Sequence, residues 1–271
     1  MSALQVDVTQ TIASKNKKLA KWLPTFIIRW VEKLIHQDEL NCFLAKHDQD
    51  TALEFAQNVL EEFAQASITV TNEELIPKTG RYIVVMNHPL GAIDGLAMIS
   101  LIGKYRSDIK FPVNDLLMAI TPMQGIFIPI NKHGRNSTDA AKELHQTFAS
   151  NDLIIYCPAG LCSRKIKGEI QDLEWKKTVV QKAVAYQRDI IPAFFEGKNS
   201  ERFYRIANWR KQLRIKTNLE MILLPDEMVR QKGNKFKVTF GNPISYTTFD
   251  NSKTPKEWAM WLRRESIKLG I

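Results

Sequence analysis

The sequence predicts an α/β fold: a mixed, mostly parallel sheet flanked by helices and preceded by an N-terminal helical pair. Three observations lead there. Up to about residue 65 the apolar residues recur at helical steps of three and four. After Gly80, short Ile- and Val-rich runs alternate with longer helical patterns, the arrangement of a parallel sheet covered on both faces. The chain of 271 residues, 44% hydrophobic and 25% charged, is long enough to bury a core without disulfides or a structural metal.

The elements follow in order. Trp22, Leu23, Phe26, Ile27, Trp30, Val31, Leu34 and Ile35 share one helical face, bordered by Lys18, Lys21, Arg29 and Lys33. A second helix is expected over Asp50–Gln65, where Leu53, Phe55, Ala56, Val59, Leu60 and Phe63 repeat at the same spacing. Residues 1–70 are read as a helical, membrane-docking segment, with packing of the stripe on the Asp50–Gln65 helix as the alternative, and residues 71–271 as the α/β domain. Strands are expected at Tyr82–Met86, Ile109–Val113, Gly125–Ile130, Leu153–Tyr156, Asp189–Phe195, Met221–Leu224 and Phe236–Phe240. Helices fit between them at Asp94–Gly103, Asn114–Ile120, Thr138–Ser150, Glu174–Gln187 and Ser200–Leu213. A last helix over Pro255–Lys268 has Thr254 as its N-cap and proline at its first position.

Lys and Arg number 38 against 29 Asp and Glu, a net charge of +9 that suits an anionic partner. No RNP-like, helix-turn-helix or zinc-finger pattern accompanies that charge, so nucleic acid is not expected. The three cysteines, Cys42, Cys157 and Cys162, have no framework spacing and are read as free thiols. No run reaches the ~18 apolar residues of a membrane-spanning helix. The N-terminus lacks the charged and apolar regions of a secretory signal.

One segment stands apart, Tyr82-Ile-Val-Val-Met-Asn-His-Pro-Leu-Gly-Ala-Ile-Asp-Gly95. It reads as a buried strand, a Pro/Gly turn and a helix start. His88 sits just past the strand end, where active residues of open α/β sheets gather. Asp94 falls in the first helical turn, and Gly91 gives the turn freedom to fold that carboxylate back onto the imidazole. A carboxylate on one ring nitrogen fixes the tautomer and stabilises the imidazolium, which leaves the other nitrogen as a base. Cys157 and Cys162 are weaker nucleophile candidates, and Ser163 lacks the Gly-x-Ser-x-Gly elbow. His133 and His145 have no spacing that joins them to His88 as metal ligands, and no metal is expected. Arg205, Arg210, Lys211, Arg214 and Lys216 form a basic run of the kind that is most often solvated.

Asn87-His88 followed by Asp94 resembles the signature of the glycerolipid acyltransferases, which include glycerol-3-phosphate and lysophosphatidate acyltransferases. Three further blocks follow in order over about residues 80 to 245. Gly125-Ile-Phe-Ile-Pro-Ile-Asn-Lys132 is similar to the second, Cys157-Pro-Ala-Gly-Leu-Cys-Ser-Arg164 to the third (Phe-Pro-Glu-Gly-Thr-Arg-Ser in the family), and Ile190-Ile-Pro-Ala-Phe194 to the fourth. The chain departs from the family in having five residues, not four, between His88 and Asp94. Ala159, Leu161 and Cys162 replace the Glu, Thr and Arg of the third block, while Pro158, Gly160 and Ser163 are kept.

The resemblance implies the fold of those enzymes and an O-acyltransferase that acylates a hydroxyl of a lyso-lipid, a lyso-aminolipid or a lysophospholipid, in membrane lipid biosynthesis, with His88 and Asp94 as the catalytic pair. It implies that Asn87, Gly91, Lys132, Arg135, Pro158, Gly160, Ser163 and Arg164 bind substrate. Lys132 stands for the second-block Arg, and Arg164 for the third-block Arg shifted by two. Backbone N–H groups near Gly91 and Gly160 are candidates for the oxyanion. The altered third block resembles the hemolysin-like and ornithine- or glycine-lipid branch, whose acceptors are lyso-aminolipids with a free hydroxyl. The acyl donor would be a thioester of acyl-carrier protein or coenzyme A, with no other cofactor. The other partners would be the lipid acceptor and an anionic membrane surface, with the enzyme peripheral on the cytoplasmic face of the inner membrane. A hydrolase using the same His–Asp pair on water is the alternative.

Overall fold

The computed structural model of the chain describes residues 5–15, 22–130, 137–215 and 217–271. Seven strands form one sheet: β1 (Ser67–Thr71), β2 (Tyr82–Met86), β3 (Ile109–Val113), β4 (Phe127–Pro129), β5 (Leu153–Tyr156), β8 (Asp189–Glu196) and β9 (Lys235–Phe240). Their spatial order is β1-β9-β8-β2-β5-β3-β4, and every neighbouring pair is parallel except β8 with β9. A separate antiparallel hairpin, β6 (Arg164–Ile166) and β7 (Glu169–Gln171), follows β5.

β2 lies inside the sheet, which explains its unbroken apolar sequence. Ile83, Val84, Val85 and Met86 are all fully buried. Alternation assigns them to opposite faces. Val84 and Met86 join the larger core, with Ile99 and Ile102 of the Ile93–Gly103 helix and with Phe55, Leu60 and Phe63 from the N-terminal helices. Ile83 and Val85 join the other core, with Val179, Trp258 and Leu262. Register sets Val85 beside Tyr156 of β5 and Met86 beside Ala193 of β8. The carboxyl ends of β2, β5 and β8 therefore meet at one edge.

In place of a helical pair, the N-terminal region carries helices at Val8–Lys15, Thr25–Leu34, Gln37–Lys46 and Ala52–Asn58, the last continued by a π-helical turn over Val59–Phe63. His36 adopts a left-handed backbone (φ 52°) and ends the expected long stripe. Ile35 turns into the protein, whereas Trp22, Phe26 and Trp30 stay exposed. Met221–Leu224 is not a strand. It lies in a 3-10 turn, Leu219–Leu223, that leads into the Leu224–Arg230 helix. Pro225 at the helix start, followed by Asp226 and Glu227 in the first turn, favours the helix. Asn114–Ile120 shortens to a 3-10 turn, Asp115–Ala119, and the Glu174–Gln187 helix to Thr178–Ala185. β1, β6 and β7 were not expected. Pro255–Lys268 forms as read, with a capping box between Thr254 and Glu257. No helix among the described residues is long and apolar enough to cross a membrane.

Candidate active site

His88 stands two residues beyond β2, and its Nδ1 lies 3.1 Å from Oδ2 of Asp94. The turn between them folds around the carboxylate. Oδ2 also accepts from the backbone N–H groups of Leu90 (2.9 Å) and Gly91 (3.3 Å), and Oδ1 accepts from that of Gly95 (2.9 Å). Gly91 has φ +92°, and a Cβ there would stand 2.6 Å from Sγ of Cys162, so both backbone conformation and space call for glycine.

Asp94 is completely buried, and His88 keeps a small exposed margin. Burial alone would discharge both groups. The mutual attraction of the pair and the N–H bonds outweigh it: the Asp94 carboxyl is held below its ordinary value and the His88 imidazolium well above its own. The arrangement is a charged pair that places the Nδ1 proton against the carboxylate. Nε2 is the ring nitrogen not engaged by Asp94.

A second carboxylate, not singled out in the sequence, holds the loop from behind. Oδ1 of Asp172 accepts from the backbone N–H of His88 (3.2 Å) and from Oγ of Ser163 (2.6 Å). Oδ2 accepts from Nε1 of Trp175 (2.9 Å). The N–H of Ser163 returns a bond to the carbonyl of His88 (2.8 Å). Asp172 is separated by 84 residues from His88, so no local spacing betrays the contact. Asn199 adds a third brace, donating from Nδ2 to the carbonyl of Pro89 (3.1 Å).

The residues expected to bind substrate divide. Pro158 and Gly160 lie in the turn after β5, on the same edge as His88. Ser163 is buried and bonded to Asp172 as above, so its hydroxyl orients the His88 loop. Asn87 is also a brace: its amide donates to the carbonyl of Phe195 (2.9 Å) and accepts from the N–H of Phe195 (2.7 Å), which ties β2 to β8. Arg164 has protein partners in place of a free guanidinium. It is buried, donates to Oε1 of Glu220 (2.7 Å) and to the carbonyl of Cys162 (2.5 Å), and lies over the Phe203 ring. Arg210 approaches the other oxygen of Glu220 at 2.8 Å. Lys132, Arg135 and His133 lie outside the described residues.

The two N–H groups nearest the glycines already have acceptors: that of Gly91 bonds Asp94, and that of Gly160 bonds the carbonyl of Cys157 (3.0 Å). Cys162 is fully buried against Gly91, and burial pushes its thiol up. The Cys157 thiol stands beside His88 and is likewise pushed up by burial. A cleft of about 600 Å³ lies at the end of β8, lined by Gly197 to Ser200, Glu227, Arg230 and Gln231, but not by His88. Asn199 and Gly197 join it to the back of the Pro89–Leu90 turn. Among the described residues no group of His, Cys, Asp and Glu is arranged to hold a metal ion.

The sequence from residue 10 to 269 matches the model of a family described as "Acyltransferase". Two curated proteins are each 41% identical over 269 residues, 99% of this chain. They are the lyso-glycine lipid O-acyltransferases of Bacteroides thetaiotaomicron and Phocaeicola vulgatus, covered over 98% and 96% of their lengths. Among solved structures, the 1-acyl-sn-glycerophosphate (LPA) acyltransferase PlsC from Thermotoga maritima superposes with a TM-score of 0.50 at 15% identity, over 97% of this chain and 93% of that one. That likeness concerns the fold.

Proposed function

Because the chain belongs to the acyltransferase family and is therefore an enzyme that transfers acyl groups, we propose that it moves a fatty acyl group from a thioester to the free hydroxyl of a lyso-aminolipid, the lyso-glycine lipid above all. The observation that carries the chemistry is the 3.1 Å contact between His88 and Asp94 at the carboxyl end of β2. An alcohol is a poor nucleophile near neutral pH, and a positioned base accelerates its attack by roughly 10²–10⁴-fold. In this reading Nε2 of neutral His88 takes the hydroxyl proton as the oxygen bonds to the acyl carbon. The C–S bond then breaks, and the proton leaves with sulfur as the free thiol of the donor carrier. Asp94 holds the imidazole in the required tautomer and stabilises the imidazolium while it lasts. Both candidate carriers, acyl-carrier protein and coenzyme A, present the same thioester. The Cys157 and Cys162 thiols, held protonated by burial, are not needed for transfer.

The acceptor follows from the third block and from the relatives. Ala159 and Cys162 are buried apolar groups, and Arg164 is engaged by Glu220, so the described part of this block offers a phosphate little. The 41% identical relatives are named for a lyso-glycine lipid. Trp22, Phe26 and Trp30, exposed beside Arg29 and Lys33, suit docking on an anionic bilayer, where the enzyme would meet its acceptor. Comparing kcat/KM for lyso-glycine lipid, lyso-ornithine lipid and lysophosphatidate tests the reading. A lyso-aminolipid is expected to be the better substrate. A clear preference for lysophosphatidate overturns the acceptor, and release of free fatty acid without acceptor overturns the transfer.

A further inference from the structure

Large hydrophobic side chains are not exposed at random on this molecule. Of the eleven large hydrophobic residues exposed among the described residues, eight fall in two segments. Trp22, Phe26 and Trp30 lie at the start and on the face of the Thr25–Leu34 helix. Trp209, Leu213, Ile215, Leu219 and Ile222 lie around the corner where the Glu201–Gln212 helix gives way to the 3-10 turn.

The two segments, far apart in sequence, share a base. A small cluster of Cys162, Phe203, Tyr204 and Leu223 is packed by Leu34, Ile206 and Met221. Leu34 is the inner end of a stripe at steps of four, Phe26–Trp30–Leu34, and Ile206 the inner end of another, Ile206–Trp209–Leu213. The 3-10 turn repeats the pattern, with Leu223 inside and Leu219 and Ile222 outside. Three apolar stripes thus start in one buried cluster and run out into solvent. His36 and Asp226 (3.0 Å), with Arg202 and Arg230 also on Asp226, fasten the end of the first helix to the second region.

Charge identifies the occupant. Between Arg202 and Leu224 the only carboxylate in the sequence is Glu220, which is buried between Arg164 and Arg210. The exposed charges there, Arg205, Lys211 and Arg214, are all positive, and Arg29 and Lys33 on the first helix are exposed beside Glu32. Apolar stripes rimmed by cations match the headgroup boundary of an anionic bilayer. We propose that the corner from Trp209 to Ile222 is a second membrane-docking element, which joins the N-terminal helix in one composite surface. The inference rests on the lipid-acceptor reading for its purpose. Its base reaches the site directly, because Cys162 packs on Gly91 and Tyr204 bonds the N–H of Asn199, which braces Pro89.

The test uses the full chain and flotation with vesicles of phosphatidylcholine, alone or with added phosphatidylglycerol. Trp209→Glu with Leu213→Glu is expected to lower partition on both vesicles by about tenfold or more. Lys211→Gln with Arg214→Gln is expected to lower it only where phosphatidylglycerol is present, by about fivefold per charge, and less in high salt. Acylation of lyso-lipid dispersed in detergent micelles should be unchanged in both variants. If both variants float as the parent does, the corner is not a docking element. If they float normally but lose binding to acyl-carrier protein, the surface meets a protein and the proposal is overturned. Should the Glu variant lose its cooperative melt, the Gln variant, confined to exposed charges, decides the matter. Inactivity of the parent on every lyso-lipid in micelles would sink the functional reading and leave the flotation result standing.

Discussion

Replacing Asp94 by asparagine keeps the shape of the turn and removes the charge. The carboxylate accepts four hydrogen bonds, from His88, Leu90, Gly91 and Gly95. An amide has one acceptor oxygen, so its NH₂ must face at least one of these donors inside a fully buried site. Such a conflict costs about 1–3 kcal/mol, or a Tm lower by roughly 2–10 °C in a chain of this size. The catalytic effect is separate. Without the Asp94 charge the chief group that offsets burial is gone, only the neighbouring Cys157 thiol still opposes it, and the His88 pKa falls below its present position. The base is competent only when neutral, so the acid limb of the kcat/KM profile should move to lower pH in Asp94→Asn. The plateau should fall by about 10²–10⁴-fold, because the imidazolium is no longer stabilised. Stability has its own signature. The raised His88 value contributes stability below 6.5 that is lost as pH rises through the folded value. The lowered Asp94 value contributes above 3.8 and is lost as pH falls through its folded value. The Tm difference between parent and variant should therefore be largest between pH 3.8 and 6.5 and shrink on the alkaline side. Steady-state profiles and thermal melts across pH check both. A plateau within a few-fold of the parent with an unmoved acid limb would reduce Asp94 to a cap of the turn.

His88→Ala should abolish transfer while the cooperative melt survives; measurable turnover near the parent rate would remove His88 from the mechanism. Asn87→Ala strands the N–H and carbonyl of Phe195 and should cost about 2–4 kcal/mol by denaturant unfolding, with little change in acceptor KM. Arg164→Met leaves Glu220 with one partner and should cost about 3–5 kcal/mol, with part of the loss recovered by adding Glu220→Gln; a higher acceptor KM without loss of stability would return Arg164 to the substrate. Trp22→Glu with Trp30→Glu should weaken flotation on anionic vesicles, and a folded variant that floats like the parent would make that face something other than a docking surface.

What the sequence disclosed and what it hid divide by the distance over which each contact acts. The His88–Asp94 pair was legible because six residues, a turn and a helix start bring the partners together without help from the rest of the chain. The buried strands were legible because sheet burial demands unbroken Ile and Val, as in β2 and β5. β1 is not legible although Ser67-Ile-Thr-Val-Thr71 alternates, because its strand character is completed only by pairing with β9, more than 160 residues away. Met221-Ile-Leu-Leu224 read as a strand by its apolar run, and the helix signal, Pro225 before Asp226-Glu227, lay just beyond the window. The partner of Arg164 is hidden for the same physical reason: a cation beside a motif invites a ligand, but its counter-charge, Glu220, arrives from 56 residues downstream. Asp172 shows the converse. Nothing in Gln171-Asp172-Leu173 marks it, yet its two oxygens join the His88 backbone, Ser163 and Trp175. Motif spacing thus located the His88–Asp94 pair, while the carboxylates that hold it in place, Asp172 by hydrogen bonds to its loop and Glu220 through Arg164, emerge only once the fold brings distant segments together.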